Sequence, residues 1–424
     1  MAEPTAAPRP TLLPLDEVRA RMLAVAQERP ITEVDKLATF DALGRVLARP
    51  VRSGLDVPPA DNSAMDGYAQ RAADASGPGI VLPVSHRLPA GVVGPPLPPG
   101  CAARIFTGAR LPAGADTVVM QEQCEALADP GGAGLGSVRF VVLPEPGQWV
   151  RRRGEDVALG AEVLHVGQRL SPQALGLAAS VGASKLTVCR RPRVALFSTG
   201  DELVMPGESL RPGAIYNSNR FTLRGLLLAA GCEVTDLGIV PDRLDATRDA
   251  LRAAAAGNDL ILSSGGVSVG EEDHIKPAVK AEGWIEAWQV AMKPGKPLAF
   301  GAVRRADGVS EALFMGLPGN PVSSFVTFLL AVAPVLRALQ GCPAAVQQAV
   351  AVRADFDWPQ PDRRREFLRA RLNAGGGVEL YPNQSSGVLT SAVWADGLVD
   401  NPAGQVVRCG DSVQLLLLSS LIGG

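Results

Sequence analysis

Lysine is scarce in this 424-residue chain: of 41 basic residues only six are Lys. Histidine is scarcer, with three. The six cysteines (101, 124, 189, 232, 342 and 409) are scattered and form no C-x-x-C pair. That spacing supports neither a zinc site nor a disulfide framework, and it fits a reducing, cytoplasmic compartment. No block of basic residues occurs, and 41 Lys+Arg against 43 Asp+Glu leaves a formal net charge of −2. A nucleic-acid partner, which needs a basic face, is therefore not expected. The longest apolar stretch, 325–336, contains Thr327 and Pro334 and is too short to cross a bilayer, and the first residues carry no apolar signal core, so no membrane location is expected. The Rossmann and Walker A spacings are absent, which argues against a dinucleotide fingerprint and a P-loop kinase.

Glycine (46) and proline (35) are abundant, which predicts many turns and rigid connections. Leu15, Val18, Met22 and Val25 recur at helical spacing, as do Leu37, Phe40, Leu43 and Leu47, and predict two amphipathic helices. Between Val51 and Trp149, short apolar runs alternate with Gly/Pro turns in the pattern of a small β domain, with 131–136 as a flexible hairpin loop. A helix over 171–181, capped by Ser171 with Pro172 at its first position, follows in a mixed region. After Arg193, strands at 194–197, 233–240 and 259–263 alternate with helices at 219–230, 244–256 and 273–281. That βαβαβα order predicts a parallel sheet covered on both faces, with ligands at the loops leaving the carboxyl ends of its strands. A helix over 321–339 closes this region, and short apolar runs from Ala349 onward predict a final β domain.

Three loops at those strand ends carry unusual polar content. In 264–270, Gly265, Gly266 and Gly270 permit a nest of backbone N–H groups with Ser268 as a further donor. A tight turn followed by a helix capped by Glu271, Glu272 and Asp273 explains the same residues. In 316–324, Asn320 and Pro321 suit a helix start, and the Pro318-Gly319-Asn320-Pro321 run equally makes a rigid wall. The third loop, 198–203, brings Asp201 and Glu202; Asp242 and Asp273 sit near other strand ends. Four of the six lysines fall between 276 and 296. Lys293 and Lys296, in a Lys-Pro-Gly-Lys turn, are placed to contact an oxyanion, whereas Lys276 and Lys280, four apart on a helix, read as a solvated face. Carboxylates beside an anion site repel the ligand unless a divalent cation lies between, and hard oxygen ligands with phosphates suit Mg²⁺.

Taken in order, the segments 61–69 (DNSAMDGYA), 104–109 (RIFTGA), 151–156 (RRRGED), 198–203 (STGDEL), 264–270 (SGGVSVG), 293–297 (KPGKP) and 316–321 (GLPGNP) resemble the MoeA family of molybdopterin molybdenumtransferases, which includes the E domain of gephyrin and its plant counterpart. The resemblance runs from about Leu12 to the C-terminus. It implies insertion of molybdenum from molybdate into adenylylated molybdopterin, with release of AMP and the help of Mg²⁺. It also implies a multidomain α/β plus β fold. A mixed N-terminal domain (12–50 plus 151–187) would carry an inserted small β domain (51–150), followed by a three-layer MogA-like α/β domain (188–342) and a C-terminal β-barrel-like domain (346–424). The family forms homodimers, with the cleft between the α/β domain of one subunit and the small β domain of the other, and a MogA-like adenylyltransferase is an expected partner. By similarity, Asp61, Thr107 and Asp156 enter the cleft from the first half, and Glu202, Asp242 and Asp273 are catalytic and hold the metal. Gly265, Gly266, Ser268, Gly270, Lys293, Lys296, Pro318, Asn320, Pro321 and Ser323, with Arg369 and Ser386 of the C-terminal domain, line the pterin and anion pocket. Two alternatives stand beside this reading: the preceding adenylyltransferase step, which the first-half motifs and the C-terminal β domain argue against, and a gephyrin-like scaffold, which lacks support from a companion domain or long linker.

Overall fold

The computed structural model describes residues 12–75, 77–267, 274–343 and 349–423. The first expected helix forms at Leu15–Gln27 and buries Leu15, Val18, Met22 and Ala26 on one face. The second does not form. Val34–Ala38 is a strand paired antiparallel with Lys185–Cys189, and Phe40 and Leu43 are 92% and 56% exposed. Apolar residues at helical spacing make a helix only if their stripe has a surface to cover. Here no such surface exists, and the distant strand offers ladder hydrogen bonds instead.

Ala42, Leu47 and Val51 pack with Val157, Leu164, Leu170, Ala174 and Val188, so one core joins residues from before and after the intervening β segment. Ser171 caps the helix Pro172–Ser180, its Oγ accepting from Ala174 N at 3.2 Å. Between these halves, a six-stranded sheet runs in the order Thr117–Met120, Gly67–Gln70, Ala102–Ile105, Val81–Leu88, Ser137–Phe140, Cys124–Leu127. Neighbouring residues serve opposite faces: Ala69, Ala103 and Val118 enter one core while Tyr68, Ala102 and Val119 enter the other. That two-sided burial is why these strands read as unbroken apolar runs.

The α/β sheet has the order Glu233–Val240, Arg193–Thr199, Leu260–Ser264, Glu311–Leu317, Pro297–Arg304, Gly283–Gln289. The first four strands are parallel, but Pro297–Arg304 runs antiparallel to both of its neighbours, which departs from an all-parallel expectation. The connections 290–296 and 305–310 are too short for a crossover helix, so only hairpin geometry can join those strands. Val194 and Leu196 pack against the helices Ser218–Ala229 and Pro321–Leu339, and Ala195 and Phe197 against Leu244–Ala255 and Ile275–Glu282, giving three layers. The run Pro321–Leu339 is long and apolar enough to cross a membrane, yet 89% of its apolar window is buried inside the protein. It widens to a π-helix at Phe328–Val332. Pro334 lacks the N–H that a regular helix directs to the Leu330 carbonyl, and the wider turn accommodates that loss. Chain order reverses between Arg193–Thr199 and Leu260–Ser264, which opens a crevice at their carboxyl ends.

The last part is a five-stranded barrel, closed by pairing of Arg365–Leu372 with both Gly377–Leu380 and Gly397–Asn401. Met292–Lys293 adds to its edge, parallel to Arg365–Glu366, so a loop of the α/β part is tied directly to the barrel.

Candidate active site

A cavity of about 990 Å³ lies at that crevice. Its walls come from the loops after Arg193–Thr199, Leu260–Ser264 and Glu311–Leu317, from 293–297, and from Arg364 and 384–387 of the barrel. Gly265 and Gly266 have φ of +92° and +66°, a region L side chains rarely adopt. A Cβ on Gly265 meets the Thr199 carbonyl oxygen at 2.7 Å, and one on Gly266 meets Ile275 Cγ1 at 2.6 Å. Glycine is thus required for the loop to pass this close to the neighbouring strand end. Ser268, Gly270 and Asp273 lie outside the described residues.

Two donors in residues that border the cavity lack partners. Thr199 and Asn217 are buried, yet Thr199 Oγ1 and Asn217 Nδ2 make no hydrogen bond. Asn217 spends its oxygen on helix capping, accepting from Arg220 N at 3.1 Å. Asn219 Nδ2 donates to Ser264 Oγ at 2.8 Å and to the Gly319 carbonyl at 2.7 Å, locking three loops together. A buried polar atom left unpaired costs about 1–3 kcal/mol, and both of these belong to residues that border the cavity. Asn217 and Asn219 were missed by motif reading, and Thr199 was read only as part of the 198–203 segment. The signal for the two asparagines was the polar run 217–219 at the start of the helix.

Glu202, Asp242, Gly265, Gly266, Lys293, Lys296, Pro318, Asn320, Pro321, Ser323 and Ser386 all line this cavity. The two lysines differ. Lys293 Nζ lies 3.2 Å from Glu366 Oε1 and 3.6 Å from Asp362 Oδ2. The Glu366 side chain is fully buried, and its other oxygen accepts from Trp358 Nε1 at 2.8 Å and Asp362 N at 3.1 Å. Lys293 is therefore held by a carboxylate of the barrel. Lys296 is exposed and has no ion pair among the described residues. Lys276 is half-buried and Lys280 exposed; neither lines the cavity. Asn320 occupies the cap position of Pro321–Thr327, but its side chain makes no cap bond and stays exposed at the wall.

Arg369 is placed differently from the lining position the resemblance implies. It is 1% exposed inside the barrel, donating to Ser391 Oγ at 3.1 Å and to the Phe367 and Ser385 carbonyls at 3.1 and 3.4 Å. Burial lowers its pKa to about 10. It borders a smaller cavity of about 190 Å³, which shares Lys293, Gln384 and Ser385 with the main one.

Asp61, Thr107 and Asp156 are not on the cavity wall. Asp61 accepts from Arg153 N at 2.8 Å and Arg152 Nη1 at 2.9 Å, and the Arg153 N–H, with the Arg152 guanidinium, holds its carboxyl below the usual range. Thr107 donates through both N and Oγ1 to Asp66 Oδ1, at 2.7 Å each. Asp156 is exposed, its N–H donating to the Val57 carbonyl at 3.0 Å.

No group of three or more His, Cys, Asp or Glu able to hold a metal occurs among the described residues. Two carboxylates of the cavity lining, Glu202 and Asp242, nonetheless match the number Mg²⁺ takes, since it uses one or two and fills the rest of its shell with water and substrate phosphate.

Comparison with known proteins agrees along the whole chain. Residues 13–182 match the family model of the MoeA N-terminal region (domain I and II), 195–338 that of a probable molybdopterin binding domain, and 351–418 that of the MoeA C-terminal region (domain IV). The chain is 42% identical over 335 residues, covering 78% of each protein, to the molybdopterin molybdenumtransferase of Haemophilus influenzae. It is 37% identical over 400 residues to molybdopterin molybdenumtransferase 2 of Mycobacterium tuberculosis, covering 91% of this chain and 95% of that protein. The crystal structure of a molybdopterin biosynthesis MoeA protein from Pyrococcus horikoshii superposes with a TM-score of 0.80 at 28% identity, covering 96% of this chain and 100% of the other.

Proposed function

Because this chain belongs to the MoeA family of molybdopterin molybdenumtransferases, we propose that the cavity at the carboxyl ends of its sheet is where its substrates meet. The protein is an enzyme of molybdenum cofactor biosynthesis that inserts molybdenum into molybdopterin. The observation that supports this location is a single cavity lined by Lys293, Lys296, Thr199 and Asn217 together with Glu202 and Asp242. Molybdate and an adenylate phosphoanhydride are both anions, and each needs cations and oriented N–H or O–H donors in a site shielded from bulk water.

In this reading adenylylated molybdopterin lies along 264–267 and 318–323, and Lys293 and Lys296 hold oxyanions. Water adds to one phosphorus of the anhydride, the P–O–P bond breaks, AMP leaves, and the water's proton passes to solvent. Mg²⁺ held by Glu202 and Asp242, with Asp273, would neutralise phosphate charge. Asp61, Thr107 and Asp156, remote from the cavity of their own chain, are supplied by the second subunit of a homodimer. The division 12–50 plus 151–187, 51–150, 188–342 and 346–424 separates the part that reaches across from the part that receives. A cytoplasmic location and a MogA-like adenylyltransferase supplying the substrate complete the proposal.

The test is AMP release and molybdenum transfer by purified protein given adenylylated molybdopterin, molybdate and Mg²⁺; absence of AMP release with competent substrate overturns it. In the same assay Glu202→Gln or Asp242→Asn raises the Mg²⁺ concentration needed for half-maximal rate, and an unchanged Mg²⁺ response removes both as ligands. Co-expressing Asp61→Asn with Lys296→Met restores activity through mixed dimers. A mixture no more active than either variant alone refutes the shared site.

A further inference from the structure

The run 61–69 carries a second aspartate besides Asp61, and the fold sets it beside Thr107. Strand Gly67–Gln70 pairs antiparallel with Ala102–Ile105, Gly67 opposite Ile105, so Asp66 and Thr107 lie at the same end of the pair. Backbone hydrogen bonds join the two flanking segments: Gly108 N to the Ser63 carbonyl at 2.8 Å, Ser63 N to the Ala109 carbonyl at 2.9 Å, and Leu111 N to the Asp61 carbonyl at 2.9 Å. The Asp66 carbonyl is held as well, accepting from Gln121 N at 3.0 Å. Asp61, Asp66 and Thr107 therefore share one backbone frame.

Thr107 has two hydrogen-bond donors, its N–H and its hydroxyl, and both go to Asp66 Oδ1 at 2.7 Å. The Thr107 N–H, and after it the hydroxyl, hold the Asp66 carboxyl below the ordinary aspartate range, so at neutral pH it is ionised and has no proton to give. The direction of the bond follows: Thr107 Oγ1 donates to the carboxylate and keeps only lone pairs for a ligand. Thr107 is exposed, and Asp66 Oδ2 has no partner among the described residues. The pair offers acceptors, and neither donor of Thr107 remains.

We propose that Asp66 is a positioning residue that makes Thr107 a hydrogen-bond acceptor, so that Thr107 takes a donor of the substrate complex, an N–H of the pterin or a water of the Mg²⁺ shell, and not an oxyanion. The inference rests on the reading that the small β domain reaches the cavity of the second subunit. A threonine free to rotate gives its proton to an anion as readily as its lone pairs to a donor. Molybdate and phosphate are both anions, so fixing the hydroxyl selects between the two kinds of group.

The test follows AMP release and measures KM for adenylylated molybdopterin, KM for molybdate and the Mg²⁺ concentration for half-maximal rate, in Asp66→Ala, Asp66→Asn, Thr107→Val and the double variant. One neutral hydrogen bond corresponds to a rise of about 3- to 12-fold in Asp66→Ala and in Thr107→Val. The larger rise, in pterin KM or in Mg²⁺ requirement, identifies the source of the donor. A molybdate KM that rises as much or more overturns the proposal, because molybdate has no donor. Asp66→Asn, whose amide oxygen still accepts, stays within about twofold of wild type; a loss equal to that of Asp66→Ala overturns the positioning role. Asp66→Ala with Thr107→Val is no worse than Thr107→Val alone, and losses that multiply show that Asp66 does not act through Thr107. Should Asp66→Ala not fold, Asp66→Ser, too short to reach Thr107 and suited to a turn, is read in the same way. Thr107→Val separates the two levels of inference: if it changes nothing, the small β domain does not reach the site, whereas if it raises a constant that Asp66→Ala leaves alone, only the role of Asp66 fails.

Discussion

Replacing Gly265 by Ala tests how tightly the glycine loop is held against the sheet. Gly265 sits at φ +92°, where an L side chain costs about 1–2 kcal/mol. The new methyl also stands 2.7 Å from the Thr199 carbonyl oxygen, backbone at the end of a buried strand that cannot turn aside. The loop must move by several tenths of an ångström, stretching the 3.1 Å hydrogen bond from Gly265 N to the Leu317 carbonyl. Overpacking of this kind costs about 1–3 kcal/mol. Together the two effects amount to about 2–5 kcal/mol, or roughly 4–20 °C in Tm for a unit of this size. Thermal unfolding checks it, with two controls. Gly319→Ala, on the same cavity wall, meets only Gly265 Cα at 4.0 Å, and Gly257→Ala, outside the cavity, meets nothing within 4 Å; both have ordinary φ. A Gly265→Ala protein that melts with the controls refutes the steric reasoning, and AMP release then shows whether the loop has shifted without loss of stability.

The buried Glu366 gives a second expectation: Glu366→Ala strands Trp358 Nε1 and Asp362 N and removes the counter-charge of Lys293, costing about 3–5 kcal/mol in urea unfolding, whereas Glu366→Gln keeps an acceptor and costs less. The two lysines should separate in the same way. Lys293→Met lowers both activity and stability because it leaves the buried carboxylate uncompensated, while Lys296→Met lowers activity with an unchanged melt; equal melts for the two variants contradict the pairing. Arg353 and then Asn373 hold the Asp355 carboxyl at about 2, below the ordinary aspartate value of about 3.9. A depressed carboxyl stabilises fully above its unfolded pKa and ceases to as pH falls through the folded one. The stability difference between wild type and Asp355→Asn should therefore be constant above pH 4, shrink between pH 4 and 2, and vanish below; a difference that persists there excludes the linkage.

What was legible from residues alone is what depends on short spans of chain. Val194–Phe197 reads as a strand because it is buried on both faces, and the helix at 172–180 reads from Ser171 and Pro172. Gly265 and Gly266 stand out because only glycine tolerates their φ so close to a neighbouring strand. The order of seven short motifs was sufficient for the family, since each is a local run. The Lys-Pro-Gly-Lys turn stood out by composition, in a chain that otherwise writes arginine.

Tertiary structure decided everything that depends on which distant segment comes alongside. Leu37, Phe40, Leu43 and Leu47 have helical spacing, yet pairing with 185–189 makes the first of them part of a strand. Lys293 and Lys296 are equivalent as sequence, but Glu366, 73 positions after Lys293, reaches only one of them. Thr199 and Asn217 become significant only when packing buries them without partners at a cavity. Arg369 is drawn into the barrel interior while Arg364, five positions earlier, is left on the cavity wall, because alternate strand residues and strand ends face different environments. Local pattern determines the period of each element; burial and charge pairing across the chain determine which of its side chains meet a ligand.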